Sequence, residues 1–411
     1  MLLLIGLCLS LVATSEDGAR IDALEKRVQR LEESSGETEP EERGTPFRAP
    51  GVPARFGRPG WTDRLTIGGY GEIHANLGEG PSHDQMDIHR FVLYFGYRFE
   101  DALQLNSEIE IEHAFVSDDD GEIAIEQLTL DGSIDRSFNV RVGRMLVPVG
   151  LVNRKHEPTT FNGVERPLFS TVIVPSTWFA DGAGFFGRLA PEFEYELYVV
   201  SGLDGSRFSA TNGIRDGRLK ERPSLNEPAV TGRIDLRPLI RRNAAGQSLR
   251  LGFSGYAGGL DNGDQGQDPD INGELVMGAV DFEYTLGIVD LRGAGAYQKI
   301  TGTRAIGNGV ASDLYGYFVE VGFHVLPESC RTGRLSQADL VLFARLDDVD
   351  TQHELRSGVA SNRAGDRTEI TLGFTWFFDP SLVLKGDVQI RDDDRRGDLP
   401  ALVNLGVGWV F

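Results

Sequence analysis

The chain has 411 residues, with 62 acidic and 41 basic side chains and a formal net charge of −21. Its apolar (40%) and aromatic (9%) content is too rich for a disordered chain. The acid excess argues against a nucleic-acid partner, whose phosphates need a basic face. Beyond residue 14, no apolar run approaches the roughly 20 residues that a membrane helix needs.

Residues 1–15, MLLLIGLCLSLVATS, form an apolar run too short to span a bilayer. Ala13, Thr14 and Ser15, just before the charge at Glu16, suit a secretory signal peptide. Cys8 lies inside this run, so the mature chain would hold one cysteine, Cys330, and no intrachain disulfide. Residues 16–35 are expected to hold a helix or short coiled coil, with Ile21, Leu24, Val28 and Leu31 at a/d spacing among charged residues. Two heptads are too few for a stable lone coiled coil. The helix therefore either frays or self-associates because the domain after it is already oligomeric. Residues 36–62 read as a Pro/Gly/charge-rich linker without periodicity.

From Leu65 onward the apolar period changes from 3.6 to 2. Leu105, Ser107, Ile109 and Ile111 alternate with Asn106, Glu108, Glu110 and Glu112, so one strand face is mostly apolar and the other carries three carboxylates. Phe91, Leu93, Phe95 and Tyr97 alternate with Arg90, Tyr94 and Arg98, and Ile370, Leu372, Phe374 and Trp376 with Glu369, Thr371 and Thr375. Charge on one face of so many strands excludes an ordinary sandwich interior.

Sixteen such segments are predicted: 65–76, 90–99, 103–116, 123–130, 138–148, 178–188, 193–200, 230–236, 249–259, 274–285, 288–300, 315–325, 339–349, 367–378, 382–391 and 399–411. Odd-numbered connections average about 16 residues and even-numbered ones about 6. That alternation is expected of an up-and-down barrel in an outer membrane, with long loops outside and short periplasmic turns. The predicted fold is all-β: a 16-stranded antiparallel transmembrane β-barrel over residues 63–411, both ends periplasmic, preceded by the short helix or coiled coil. Apolar strand faces would meet lipid, and a lumen of this size is expected to stay an aqueous channel. The last strand puts Val403, Leu405, Val407, Trp409 and Phe411 on one face, with Phe as the terminal residue.

The terminal-Phe strand is similar to the C-terminal signature of bacterial outer-membrane barrels, which implies that Trp409 and Phe411 act as a signal to the barrel-assembly machinery. IGGYGEIHANL (67–77), DIHRFVLYFGYRFEDALQLNSEIEIEHAF (87–115) and VRVGRMLVPVGLVN (140–153) resemble the porin family that includes the phosphate-selective porins. The resemblance implies sixteen strands, a homotrimer, a periplasmic N-terminal coiled coil and passive transport of small hydrophilic solutes and ions, with phosphate or other anions among the candidates. Phosphate-selective members line the channel with Arg and Lys, whereas segment 103–116 carries a carboxylate row. Resemblance to general porins implies that the third outer loop, 149–177, folds inward as a constriction. Arg154, Lys155, Glu157, Glu165 and Arg166 are its candidate selectivity charges, with His156 among them. VIVPSTW (172–178) is expected to pack against the wall.

Glu108, Glu110 and Glu112 are expected to form a lumen ladder, opposed by Arg90 or Arg98 because like charges on one strand face repel. Of Arg141 and Arg144, which lie on opposite faces, Arg141 is expected to face the lumen. Asp268, Asp270, Asn272 and Gly273 have the opening spacing of a calcium loop, but the twelfth position is Ala279 and the segment reads as an acidic outer turn. No metal site or cofactor is expected. No zinc-protease, nucleophile-elbow or phosphate-loop motif is present, and the chain is not expected to be an enzyme. A competing role is a structural tether, with the helix reaching towards the cell wall while the barrel anchors it.

Overall fold

A computed structural model of the protein describes residues 64–411 apart from 79–83, 114–121, 219–221, 240–246, 262–270 and 395–396. The expected signal peptide, helix and linker lie outside the described residues, as do Asp268 and Asp270.

Sixteen antiparallel strands close into one barrel in chain order. They are β1 (Leu65–Leu77), β2 (Gln85–Glu100), β3 (Leu103–Glu112), β4 (Glu122–Ser133), β5 (Asn139–Leu146), β6 (Phe179–Ala190), β7 (Phe193–Ser201) and β8 (Pro228–Leu236). The ring continues through β9 (Ser248–Gly259), β10 (Glu274–Leu286), β11 (Val289–Ile300), β12 (Asp313–His324), β13 (Asp339–Glu354), β14 (Asp366–Asp379), β15 (Leu382–Asp393) and β16 (Gly397–Val410). The alternation expected from sequence gives the right number of strands and the right neighbours. β2 and β13 run further outward than their apolar pattern, to Gln85 and Glu354. In β13 the extra residues are polar, whereas in β2 Met86 and Ile88 carry the outward apolar positions on between polar neighbours.

The outward face is apolar. Ile109, Leu197, Val276, Val319, Leu372 and Leu405 are exposed, while their neighbours Glu108, Glu196, Leu275, Phe318, Thr371 and Asn404 are buried inside the ring. Aromatic pairs gather towards the short-turn rim: Tyr97 with Phe99, Phe138 with Phe185, and Trp376 with Phe378, at ring-centroid distances of 5.0, 4.9 and 4.6 Å. Amphipathic rings in such a girdle suit a membrane–water boundary.

The interior departs from the expectation of a uniformly wet channel. Towards the outer end, Tyr198, Tyr256, Leu275, Met277, Leu314 and Phe318 of the wall form one buried apolar cluster with loop residues. Val149, Phe169, Ile173 and Trp178 come from the third outer loop, and Leu203, Phe208 and Ile214 from the fourth. The physical reason is legible in β10, where Leu275–Val280 is apolar or glycine at every position. Both faces of that strand need apolar cover, one from lipid and one from inside. The opposite wall, β1–β4 and β14–β16, keeps a polar inner face: Glu72, His74, Glu110, Glu369, Asp387 and Asn404.

The barrel closes where β1 meets β16, in register from Tyr70↔Val410 to Leu77↔Val403. Phe411 N–H donates to Gly69 O (2.9 Å) and Gly69 N–H to Phe411 O (3.0 Å). A Cβ on Gly71 would stand 2.5 Å from the Trp409 ring, and one on Gly69 would stand 2.9 Å from the Phe411 ring. The glycines of IGGYG thus leave space on the lipid face for the two aromatics of the last strand, which cover backbone that glycine exposes. Gly71→Leu should therefore lower the fraction of barrel that keeps its compact, heat-modifiable mobility in detergent gels. Gly278→Leu, at an outward position with no heavy atom within 4 Å, should not; equal folding of both variants would remove the seam argument.

Candidate functional site

The third outer loop, residues 147–178, leaves the wall early because β5 has only eight residues. Pro148 has no N–H to continue the ladder, and Gly150 takes φ +71°, a left-handed turn suited to glycine. Asn153 ties the neck. Its amide donates to the carbonyls of Val147 (2.8 Å) and Trp178 (2.9 Å), and its oxygen accepts from Trp178 N–H (2.8 Å). The return limb carries one helical turn, Phe169–Val172, and VIVPSTW packs as expected, with Trp178 against Tyr256 at 4.9 Å.

This loop does not hug one wall; it crosses the lumen. Gly150 N–H donates to Ser254 of β9 (3.1 Å), and Glu165 lies 3.2 Å from Nδ1 of His74 on β1, half the ring away. The consecutive residues Lys155 and His156 face opposite walls. Lys155 pairs with Glu283 of β10 (2.7 Å), and Nε2 of His156 faces Glu108 of β3 and Glu126 of β4 (3.7 and 3.6 Å). Further along, Asn162 donates to Glu320 of β12 (2.7 Å), Val164 N–H to Asp387 of β15 (2.6 Å) and Phe169 N–H to Asp347 of β13 (3.0 Å). The Lys385 ammonium sits 3.7 Å from the centre of the Phe161 ring.

The charges expected at a constriction all lie on this crossing. Arg154 pairs with Glu196 and Asp235 (both 2.7 Å), and behind it Arg233 and Arg250 share Asp235 and Asp281. Arg154, Lys155, Arg233 and Arg250 thus stand against Glu196, Asp235, Asp281 and Glu283, so this belt is charge-balanced. Arg166 donates to Ser176 and to the His156 carbonyl (both 3.1 Å). Glu165 also accepts from Asn76 (3.0 Å). Burial opposes its ionisation, but the His74 contact and the Asn76 bond outweigh it and hold its carboxyl down at about 2. Burial pushes the Glu157 carboxyl up, with His156 beside it pulling the other way.

On the wall, Glu108 and Glu110 face inward and are buried, while Glu112 is half-buried further towards the outer end. Arg90 answers this row, 3.1 Å from Glu110 and 2.6 Å from Glu72; Arg98 is exposed opposite Gln104 instead. Arg141 is buried, paired with Asp131 (2.7 Å) and 4.8 Å from the Phe186 ring centre, whereas Arg144 is half-buried beside Asp181. Trp409 and Phe411 lie at the closing seam. Ala279 is a buried, inward-facing residue of β10.

Sequence reading missed Glu126. The register slips between Glu108 and Ile109, so that Glu126 is an extra residue in β4, a bulge that turns its side chain fully inside. The signal was present: outward apolar residues run Ile123, Ile125, then Leu128 and Leu130, a spacing of three where two was due. Two cavities flank the loop tip. One of about 940 Å³ is lined by Tyr94, Glu108, Arg154, Glu157 and the turn residues Pro380 and Ser381. The other, of about 400 Å³, is lined by Lys155, Thr160, Arg250, Glu283 and Arg292. Turn residues in the first lining put that cavity at the short-turn end of the lumen.

No family profile matches the chain. An uncharacterised protein of Aquifex aeolicus (strain VF5) is 28% identical over 366 residues, covering 84% of this chain and 80% of the relative. Solved structures with the same fold include Salmonella typhi OmpF in complex with daunomycin (TM-score 0.54, 10% identity, 84% of this chain and 97% of that one). An anion-selective porin from Comamonas acidovorans (0.51, 14%, 84% and 99%) and the outer-membrane channel DcaP of Acinetobacter baumannii (0.50, 14%, 84% and 97%) are similar to the same extent. At these identities the likeness is one of fold.

If the loop spans the lumen, cysteine pairs placed at Lys155/Glu283 and at Glu165/His74, with the native cysteines changed to Ser, should both be bridged by a short bifunctional thiol reagent. Bridging of the first pair alone would mean that the loop lies along one wall.

Proposed function

We propose that the chain is a porin of the bacterial outer membrane, a passive channel for small hydrophilic solutes and ions in which the third outer loop governs passage. The observation that carries this reading is the pairing of an apolar outer face with an ionisable lumen that the loop crosses. A soluble barrel has no use for the first, and an inert anchor has none for the second. Comparison proteins whose names describe an anion-selective porin and an outer-membrane channel support it. Arg154, Lys155, Glu157, Glu165 and Arg166 act at the constriction, and Glu108, Glu110, Glu112 and Arg141 line the lumen. Lipid surrounds a homotrimer whose N-terminal helix is periplasmic, and Trp409 and Phe411 present the last strand to the barrel-assembly machinery.

The solute route follows the polar wall of β1–β4 and β14–β16, because apolar packing seals the outer end of the opposite wall. The balanced belt around Arg154 gives no strong preference for anions such as phosphate. The excess of acids over the whole chain biases the mouth towards cations through its long-range field.

Reconstituted in planar bilayers, the protein should give small ohmic steps. Glu165→Ala, which frees the loop from β1, should raise the unit conductance. Charge reversal at both Arg154 and Lys155 should move the reversal potential in a salt gradient towards cations. A correctly folded barrel that conducts neither as wild type nor as Glu165→Ala would falsify the channel reading.

A further inference from the structure

Where the third loop meets the β3–β4 wall, two carboxylates and one imidazole converge. Glu108, Glu126 and His156 are all buried, and one potential ligand atom from each lies within 4.8 Å of the others. The distances from Nε2 of His156 to the two carboxylates, 3.7 and 3.6 Å, are too long for a charge-assisted hydrogen bond, which closes to about 2.7–2.9 Å. They match two donors sharing one metal at about 2.1 Å each, which tetrahedral geometry sets roughly 3.4 Å apart.

The orientation of each group points the same way. Nδ1 of His156 lies 3.1 Å from the Asn153 carbonyl; donating its proton there leaves the Nε2 lone pair aimed at the carboxylates. Asn153 is itself locked into the loop neck, so the ring is held by a second layer of bonds, as metal-bound imidazoles are. Glu126 is 0% exposed, and neither of its oxygens has a hydrogen-bond partner. A buried carboxylate whose facing imidazole nitrogen stands 3.6 Å off carries a large desolvation cost, and here a strand bulge puts it in that place. Glu110, the next carboxylate along the row, is already answered by Arg90.

We propose that Glu108, Glu126 and Nε2 of His156 bind a divalent first-row transition cation that staples the third outer loop to the β3–β4 wall. One nitrogen and two carboxylate donors suit such an ion; calcium, which takes six to eight oxygens, is poorly served by this set. The ion answers Glu126 and joins a loop residue to two wall strands at one point.

The test is zinc binding to the full barrel in detergent, by calorimetry and by metal content after dialysis. Wild type should retain one zinc per chain. Glu126→Gln and His156→Gln should weaken binding at least tenfold, and Asp87→Asn/His113→Asn should leave it unchanged. This last pair removes Asp87 and His113, which with His89 form the other grouping of metal-type side chains among the described residues. Cobalt added to wild type should give a ligand-field absorption band saturating at one equivalent, a readout independent of whether the variants fold. Wild type without bound zinc or a cobalt band, binding unaffected by Glu126→Gln, or binding lost only in the Asp87/His113 pair would overturn the proposal.

Discussion

Lipid accepts no unpaired backbone, and everything else in this molecule follows from that constraint. A sheet meets it only by closing on itself, so the first and last strands have to fit each other. The fit is made from unequal partners, with glycines on β1 and large aromatics on β16. Once the ring is shut, apolar residues are free to face outward on alternate positions, and the inner positions are released for charge.

The inner face then divides. Towards the outer end of one side of the ring, wall and loops build a dry apolar core; elsewhere, polar side chains are left facing the lumen. The third loop belongs to both parts, because its return limb packs in the dry core and its tip reaches the charged wall. Few of its contacts depend on a single long-range field. Arg154, Lys155 and Glu165 each sit beside named partners a few ångströms away, where local pairing outweighs the formal charge of the chain.

The strands were legible because lipid exposure imposes a strict period of two, and sixteen segments with alternating connection lengths leave little freedom in topology. The inward turn of Arg141 was readable for the same reason. Glu126 was not, since a single inserted residue changes which way every later side chain points, and its trace is one irregular interval between Ile125 and Leu128. The dry part of the lumen was also missed. Leu275–Val280 shows no alternation, and apolar residues on both faces of a strand look alike whether the inner cover is another sheet or a loop. His156 was seen as one loop charge among several; only the folded chain shows which wall it reaches.

A closed sheet resists stretching along its hydrogen bonds but ovalises easily, because flattening the ring breaks none of them. A loop tied to β9 at one end and to β1 at the other is a strut across the diameter. It holds the cross-section round against lateral pressure from the bilayer, so shortening this loop to widen the pore would also soften the ring, and pore area and barrel stiffness would move in opposite directions.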